Sequence, residues 1–488
     1  MEREYLKENF IGGTWKPSHS RSRFQNVNPA DTGDLIGEFP SSDREDVDEA
    51  VNTARQAFPA WRSLSSIERA AILSRAANLL ESRLEEVARA LTREEGKALA
   101  ESRAEVARGV LILRYYAGAG LLDIGEVIPS ANARSLMYTT RVPLGVVAVI
   151  TPWNFPVAIP CWKIAPALIY GNTVVFKPSE LSPLTAALIV ELLAQAGVPA
   201  GVLNLVQGLG SVAGQALVEH GGINAITFTG SVSTGKMIAR LALDRNVKYQ
   251  LEMGGKNPAI VLDDADLAQA TELIVSGAMR GAGERCTSTS RAIVMESVYD
   301  ELRERILDRC ARLVIGPGTD PSTDIGPLIS EAQREKVLGY VELGKKEGAK
   351  LALGGRIPQG ERYRHGYYVE PTVFVDVRPE MQIAQEEIFG PVLSLISVQT
   401  FEEALAVANS VRYGLSAALF TKDLNAALEF AERVEAGLVR VNGETAGVEP
   451  QAPFGGMKES SSYSREQGQA AKEFFTQLKT IHLSRAGM

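Results

Sequence analysis

Five short apolar runs between residues 145 and 252 constrain this chain more than any other feature. They read "GVVAVI" (145–150), "NTVVFK" (172–177), "VLNLV" (202–206), "AITFTG" (225–230) and "VKYQLE" (247–252). Helical periodicity fills the gaps, at 157–170, 183–196, 211–220 and 233–242. Strands alternating with helices at this spacing predict βαβ units and a parallel sheet. Such sheets bind ligands outside the carboxyl ends of their strands. Four of these ends carry unusual residues: "TPWNFP", "KPSE", "TGSVSTG" and "EMGGKNP".

A second alternating block starts near 258. It holds "PAIVL", a helix from 266, Cys286, "RAIVM", a helix at 298–313, and strands around 369–376, 392–398, 416–421 and 437–442. It reads as a second α/β domain. The first third of the chain is mostly helical by periodicity. "DREDVDEAVNTARQAFPAWRS" opens on an Asp43 cap, and 66–94 and 98–118 follow the same pattern. The arginines and glutamates there read as solvated outer faces. Residues 126–142, "EVIPSANARSLMYTTRV", alternate as a hairpin does, and the tail "EFFTQLKTIHL" is strand-like. An uncovered strand pair invites pairing, here with another subunit.

At 488 residues the chain is long enough for two or three domains. A net charge of -8 without a basic run excludes a nucleic-acid footprint. No stretch reaches the roughly 18 continuous apolar residues of a membrane helix. "MEREYLKENF" has no apolar region of the kind a secretory signal needs. Three cysteines, an odd number, argue for a reducing compartment, and the cytoplasm is the expectation. The four histidines, His19, His220, His365 and His482, are scattered, so no metal spacing exists.

Each strand-end motif has two readings. Gly230 in "FTGSVSTG" opens either a pyrophosphate turn or an ordinary βα turn. Lys177 and Glu180 in "FKPSE" either meet a ribose or belong to a helix start capped by Ser179. Glu252 in "LEMGGKNP" is either a general base or a turn carboxylate. Asn154 in "TPWNFP" is either an oxyanion donor or a turn asparagine. Cys286 stands in "GAGERCTSTSR", a polar and open setting that suits a reactive thiolate. Cys161 and Cys310 sit on helix core faces and read as structural.

Taken in order, "PWNFP", "KPSE", "FTGS", "EMGGKNP", "GERC", "EEIFGPV" (386–392) and "PFGGMKESS" (453–461) resemble the aldehyde dehydrogenase superfamily. The likeness runs from about residue 10 to the end. "LEMGGK" with a cysteine 34 residues after Glu252 is the most specific part. The resemblance implies an α/β fold of two Rossmann-like domains plus a small β oligomerisation element. It divides the chain into a dinucleotide-binding domain (1–125 and 143–253), a catalytic domain (254–443), and an oligomerisation hairpin and tail (126–142 and 444–488). It implies Cys286 as nucleophile, Glu252 as general base and Asn154 as oxyanion donor. Lys163 in "CWKIAPAL" matches a lysine near the active site or forms a structural ion pair.

For NAD, with NADP as the other option, the resemblance implies Ile150, Thr151, Trp153, Lys177, Glu180, Gly210, Phe228, Gly230, Ser231, Thr234 and Gly254. Glu387 and Phe389 would meet the nicotinamide ribose and ring. Phe155, Ala158, Ile159, Trp162, Val448 and Phe454 would line the aldehyde pocket. Arg280 and Arg285 either clamp a substrate carboxylate or point to solvent. The branch most like this chain oxidises α-ketoglutaric semialdehyde; succinic semialdehyde or broad specificity is the alternative. A CoA-acylating enzyme or a non-catalytic protein fits less well, because Cys286, Glu252 and Asn154 occur together. A homodimer or homotetramer is implied. Two departures stand out: Glu284 occupies a usual glutamine position, and Met253 a usual leucine position.

Overall fold

The computed structural model describes residues 4–485. The five apolar runs form parallel strands, in the spatial order Lys248–Glu252, Ala225–Thr229, Val146–Ile150, Thr173–Lys177, Leu203–Leu205. Both faces of this sheet are covered by helices, so its strands bury almost every side chain and read as unbroken apolar runs. From Val146–Ile150 the chain adds two strands on one side, then returns to add Ala225–Thr229 on the other. That reversal leaves a crevice at the carboxyl ends of the two central strands.

The helix Ala158–Ile169 is buried along its whole length beneath this sheet. The helices Ser66–Ser82 and Leu99–Ala119 pack with it into one apolar core. Asp43 caps the first long helix as its sequence predicts, accepting from the N–H groups of Glu45 and Asp46.

A second sheet has the order Lys350–Leu353, Thr372–Val375, Val392–Val398, Thr289–Met295, Asn257–Val261, Ser416–Phe420, Leu438–Val441. All its neighbours are parallel except the first pair. The hairpin and tail meet in a third, antiparallel sheet, where Thr476–Ser484 pairs along the whole of Ser135–Pro143. Val127, Leu136, Leu478 and Leu483 on it are exposed.

The N-terminal third departs from its sequence reading at two points. Ahead of the expected helices lie strands that the reading did not name: Asn9–Ile11, Thr14–Lys16, Arg23–Asn28 and Asp31–Pro40. The first two span three residues each, too few to display a period of two, and Asn, Asp and Gly interrupt the longer pair. The stretch 66–94 is two helices, Ser66–Ser82 and Leu84–Glu95, broken at Arg83. No glycine or proline marks the break. The Arg83 guanidinium holds Glu86 and, across the fold, Glu191.

The two α/β sheets are joined by Met253–Lys256, and close approach explains its two glycines. A Cβ on Gly254 would lie 2.1 Å from Oε2 of Glu387. A Cβ on Gly255 would lie 2.8 Å from the Cys286 carbonyl oxygen. At Gly255 the clash is with backbone, so the chain passes the Cys286 loop there only as glycine, whereas at Gly254 a Cβ would push the end of the Glu387 side chain aside.

Candidate active site

The helix Leu267–Met279 ends seven residues before Cys286. The chain then passes through left-handed backbone at Gly281, Ala282 and Gly283 (φ 57°, 50° and 70°). Two of the three are glycine, which accepts this conformation freely; Ala282 is strained. The swing sets Cys286 on the wall of a cavity of about 470 Å³. The thiol is half-buried and stays reachable, whereas Cys161 and Cys310 are buried. Burial pushes the Cys286 thiol up to about 12, and the carboxylates of Glu387 and Glu252 push the same way. The N–H groups of Thr287 and of Cys286 itself oppose that shift. At neutral pH the thiol therefore holds its proton until positive charge arrives beside it.

Glu252 closes its strand on the same wall, with only 1 % of its surface exposed. Oε2 accepts from the Ser461 hydroxyl, and Oε1 has no partner. Burial lifts its carboxyl well above the usual range, and Glu466 adds to the effect. A poorly solvated carboxylate with one free oxygen is a strong proton acceptor.

Asn154 is also buried on this wall. Its Nδ2 donates to the Glu284 carbonyl at 2.9 Å, and its own carbonyl accepts from Lys97 Nζ at 2.7 Å. An amide nitrogen carries two hydrogens, so one N–H remains for a ligand. Lys97 in turn pairs with Glu105 at 2.8 Å, and Glu105 Oε1 accepts from the N–H groups of Val157 and Ala158. The start of the helix carrying Trp162 is thus pinned by the helix Leu99–Ala119.

Several expectations change. Lys163 does not reach the cavity: its ammonium is fully buried, hydrogen-bonded to Thr227 at 2.8 Å and paired with Glu466. Its reading as a structural ion pair is the one the geometry supports. Glu466, which also accepts from Trp162 Nε1 at 2.7 Å, lies about 300 residues away in sequence, so no local pattern announces it. Arg285 does not point freely into the cavity. Its Nη2 donates to the carbonyls of Ser276 and Gly277, capping the preceding helix end. Arg280 is exposed at the rim.

Glu284, two residues before Cys286, directs its carboxyl to the Ile329 backbone. Oε1 accepts from the Ile329 N–H at 3.3 Å, and burial raises its carboxyl well above the usual range, with Glu95 adding to the shift. Burial thus favours its protonated form, which has about the shape of a glutamine. Sequence reading also missed Arg108 and Glu105. Both sit in a helix whose charged residues suggested a solvated face, yet Glu105 is buried and both line the cavity. The usable signal was their spacing: Glu101, Ala104, Glu105 and Arg108 share one helical stripe.

The apolar part of the wall is Phe155, Ala158, Ile159, Trp162, Val448 and Phe454, with the Trp162 and Phe454 rings 5.6 Å apart. The crevice of the first sheet adjoins it. Ile150, Lys177 and Phe228 lie abreast in register at its strand ends. Lys177 is buried and pairs with the half-exposed Glu180 at 3.3 Å. The Phe228 ring is tucked under Gly230, where a Cβ would lie 2.4 Å from it. Ser231 caps the next helix through the Thr234 N–H. Gly210 opens a turn with free space above it. The hydroxyls of Thr151 and Thr229 are buried without partners. At the cavity end, Trp153 and Phe389 meet edge to face at 5.5 Å, Phe389 in left-handed backbone (φ 61°). Glu387 Oε1 accepts from the Gly255 N–H at 3.0 Å.

A parallel-sheet crevice thus meets a cavity that holds a thiol, a buried carboxylate and an amide donor. The chain belongs to the aldehyde dehydrogenase family, whose model matches residues 15–481. It is an oxidoreductase acting on the aldehyde group. It is 54% identical over 473 residues to the alpha-ketoglutaric semialdehyde dehydrogenase of Bacillus subtilis, covering 97% of each chain. It is 43% identical over 466 residues to the 2,5-dioxopentanoate dehydrogenase of Saccharolobus solfataricus, covering 95% of this chain and 96% of that one. Betaine aldehyde dehydrogenase from Staphylococcus aureus, crystallised in complex with NAD+, superposes with a TM-score of 0.96 at 35% identity, covering 98% of this chain and 95% of that one. Among the described residues no helix is long and apolar enough to cross a membrane.

Proposed function

We propose that this chain oxidises α-ketoglutaric semialdehyde (2,5-dioxopentanoate) to the dicarboxylate with NAD. The observation that carries the reading is the cavity itself. Its floor holds Cys286, Glu252 and Asn154, its sides are apolar, and arginines stand on its wall and rim. The relatives named for this activity, at 43 to 54% identity across nearly the whole chain, support the substrate. The crevice supports the cofactor. Its unpartnered threonine hydroxyls, the open turn at Gly210 and the helix start at Ser231 suit a dinucleotide. Lys177 would hold ribose hydroxyls, with Glu180 beside it favouring the form without a 2′-phosphate. Ile150, Thr151, Trp153, Gly230, Gly254, Glu387 and Phe389 would complete the contact.

NAD supplies the acceptor for the hydride that leaves the aldehyde carbon. Sγ of Cys286, once ionised, attacks that carbon and forms a hemithioacetal. The second N–H of Asn154 and the Cys286 N–H take the oxyanion, each such donor being worth roughly 3–4 kcal/mol. Loss of hydride leaves a thioester on Sγ. Glu252 Oε1 takes a proton from water, the hydroxide adds to the thioester, and the thiolate departs as the carboxylate forms. The first sheet serves as the dinucleotide half, the second presents the nucleophile, and the exposed apolar side chains of the third support pairing with a second copy in the cytoplasm. An assay of NAD reduction with the semialdehyde, a neutral five-carbon aldehyde, and each with CoA tests the reading. Preference for the semialdehyde without any CoA requirement is expected. A CoA requirement or preference for the neutral aldehyde refutes it.

A further inference from the structure

Apart from Arg280, which is exposed at the rim, and Glu252, which keeps one oxygen without a partner, most charge on the cavity wall is matched by the protein itself. Lys97 is paired with Glu105 at 2.8 Å and lies 3.5 Å from Glu95. Glu105 also accepts two backbone N–H groups. Glu284 accepts from Ile329, Glu101 from the Gly281 N–H, and Asp324 from the Val314 N–H. Arg285 donates to two carbonyls, and its charge is met by Glu101 and Glu444, although its Nε lacks a partner.

Among the cations enclosed in this wall, Lys97, Arg108 and Arg285, Arg108 is the exception. Its Nε is enclosed without a hydrogen-bond partner. Among the described residues its guanidinium makes no hydrogen bond or ion pair. What holds it is the face of Trp162, 5.6 Å from its Cζ, and that indole is itself fixed by Glu466. It lies near enough to Cys286 for the charge of the thiolate to act on it. Burial pulls its pKa down, and the charge of Glu105, which is already paired with Lys97, offsets this only in part.

Arg108 is half-buried, and an enclosed guanidinium N–H without an acceptor is costly unless a ligand supplies one. The complement is a planar anion delivered with the substrate. Between Arg108 and Cys286 the wall is apolar, Trp162, Phe454 and Val448, which suits a short methylene spacer. We propose that Arg108 is the residue that selects an anionic aldehyde: its guanidinium takes the carboxylate in a two-pronged hydrogen bond while Cys286 takes the aldehyde end. The proposal rests on the substrate reading above.

The test compares kcat/KM for 2,5-dioxopentanoate with that for a neutral five-carbon aldehyde in the wild type, Arg108→Met, Arg108→Lys and Arg285→Met. The ratio of the two, measured on one preparation, does not depend on how much of a variant is folded. Arg108→Met should lower the ratio on the order of a hundredfold, the value of a charge-assisted fork. Arg108→Lys, which keeps the charge and loses the fork, should fall between. Arg285→Met should move the ratio far less. A ratio unchanged in Arg108→Met, or one carried by Arg285 instead, overturns the assignment of Arg108. A wild type with no preference for the anion refutes the substrate reading itself, a distinct outcome visible before any variant is made.

Discussion

Replacing Lys97 by methionine should destabilise the protein and disable the site together. The ammonium is 5 % exposed and holds Glu105, Glu95 and the Asn154 carbonyl. It also lies 4.4 Å from the centre of the Phe155 ring. Burial already lifts Glu95 to about 7 with Lys97 present. Removing the cation leaves carboxylates buried without a counter-charge, a loss of about 3–5 kcal/mol for one broken pair. Part of that is recovered if Glu105 is neutralised too. Lys97→Met with Glu105→Gln should therefore be more stable than Lys97→Met alone. Because the folded-state pKa of Glu95 is raised above its ordinary value, its ionised form opposes folding. The deficit of Lys97→Met should grow as pH rises from the ordinary carboxylate range through about 7 and shrink as pH falls back toward that range. Activity should fall at least tenfold but no further than the roughly hundred- to thousandfold that loss of an oxyanion donor costs, since Asn154 is displaced rather than removed. Denaturant melts of wild type, both single variants and the double variant, at pH 5 and pH 8, read the coupling directly. Strictly additive losses with no pH dependence would refute the argument.

Two further outcomes follow from the same geometry. The thiol of Cys286, pushed up to about 12, should alkylate in the free enzyme at a rate that climbs steadily from pH 6 to pH 10; NAD, which brings positive charge, should raise the rate at every pH in that range, and a plateau below pH 9 without NAD would contradict this. Gly254→Ala forces a Cβ against the Glu387 carboxylate and should weaken NAD binding at least tenfold by titration calorimetry while the melting temperature moves little, whereas unchanged binding would place Glu387 outside the cofactor contact.

The parallel sheet was legible because its strands are buried on both faces and stand out as apolar runs at regular spacing. Cys286, Glu252 and Asn154 were legible because each follows a strand or helix end in a distinctive motif. What stayed hidden depends on partners far apart in sequence. Lys163 looks catalytic until Glu466 is seen beside it. Arg285 looks free until its helix end is seen. Glu105 and Arg108 look solvated because a charge pattern alone does not separate a surface stripe from a buried ion pair over a cavity. The first two N-terminal strands stayed hidden for a different reason: runs of three residues carry no period.

The division of labour between Cys286 and Glu252 is best tested in one rapid-mixing experiment on Glu252→Gln with NAD and the semialdehyde. A burst of one NADH per site, slow turnover afterwards, and a trapped acyl mass on the peptide containing Cys286 are the predicted results. Full steady-state turnover by Glu252→Gln, or a burst with no acyl group on Cys286, would contradict the account.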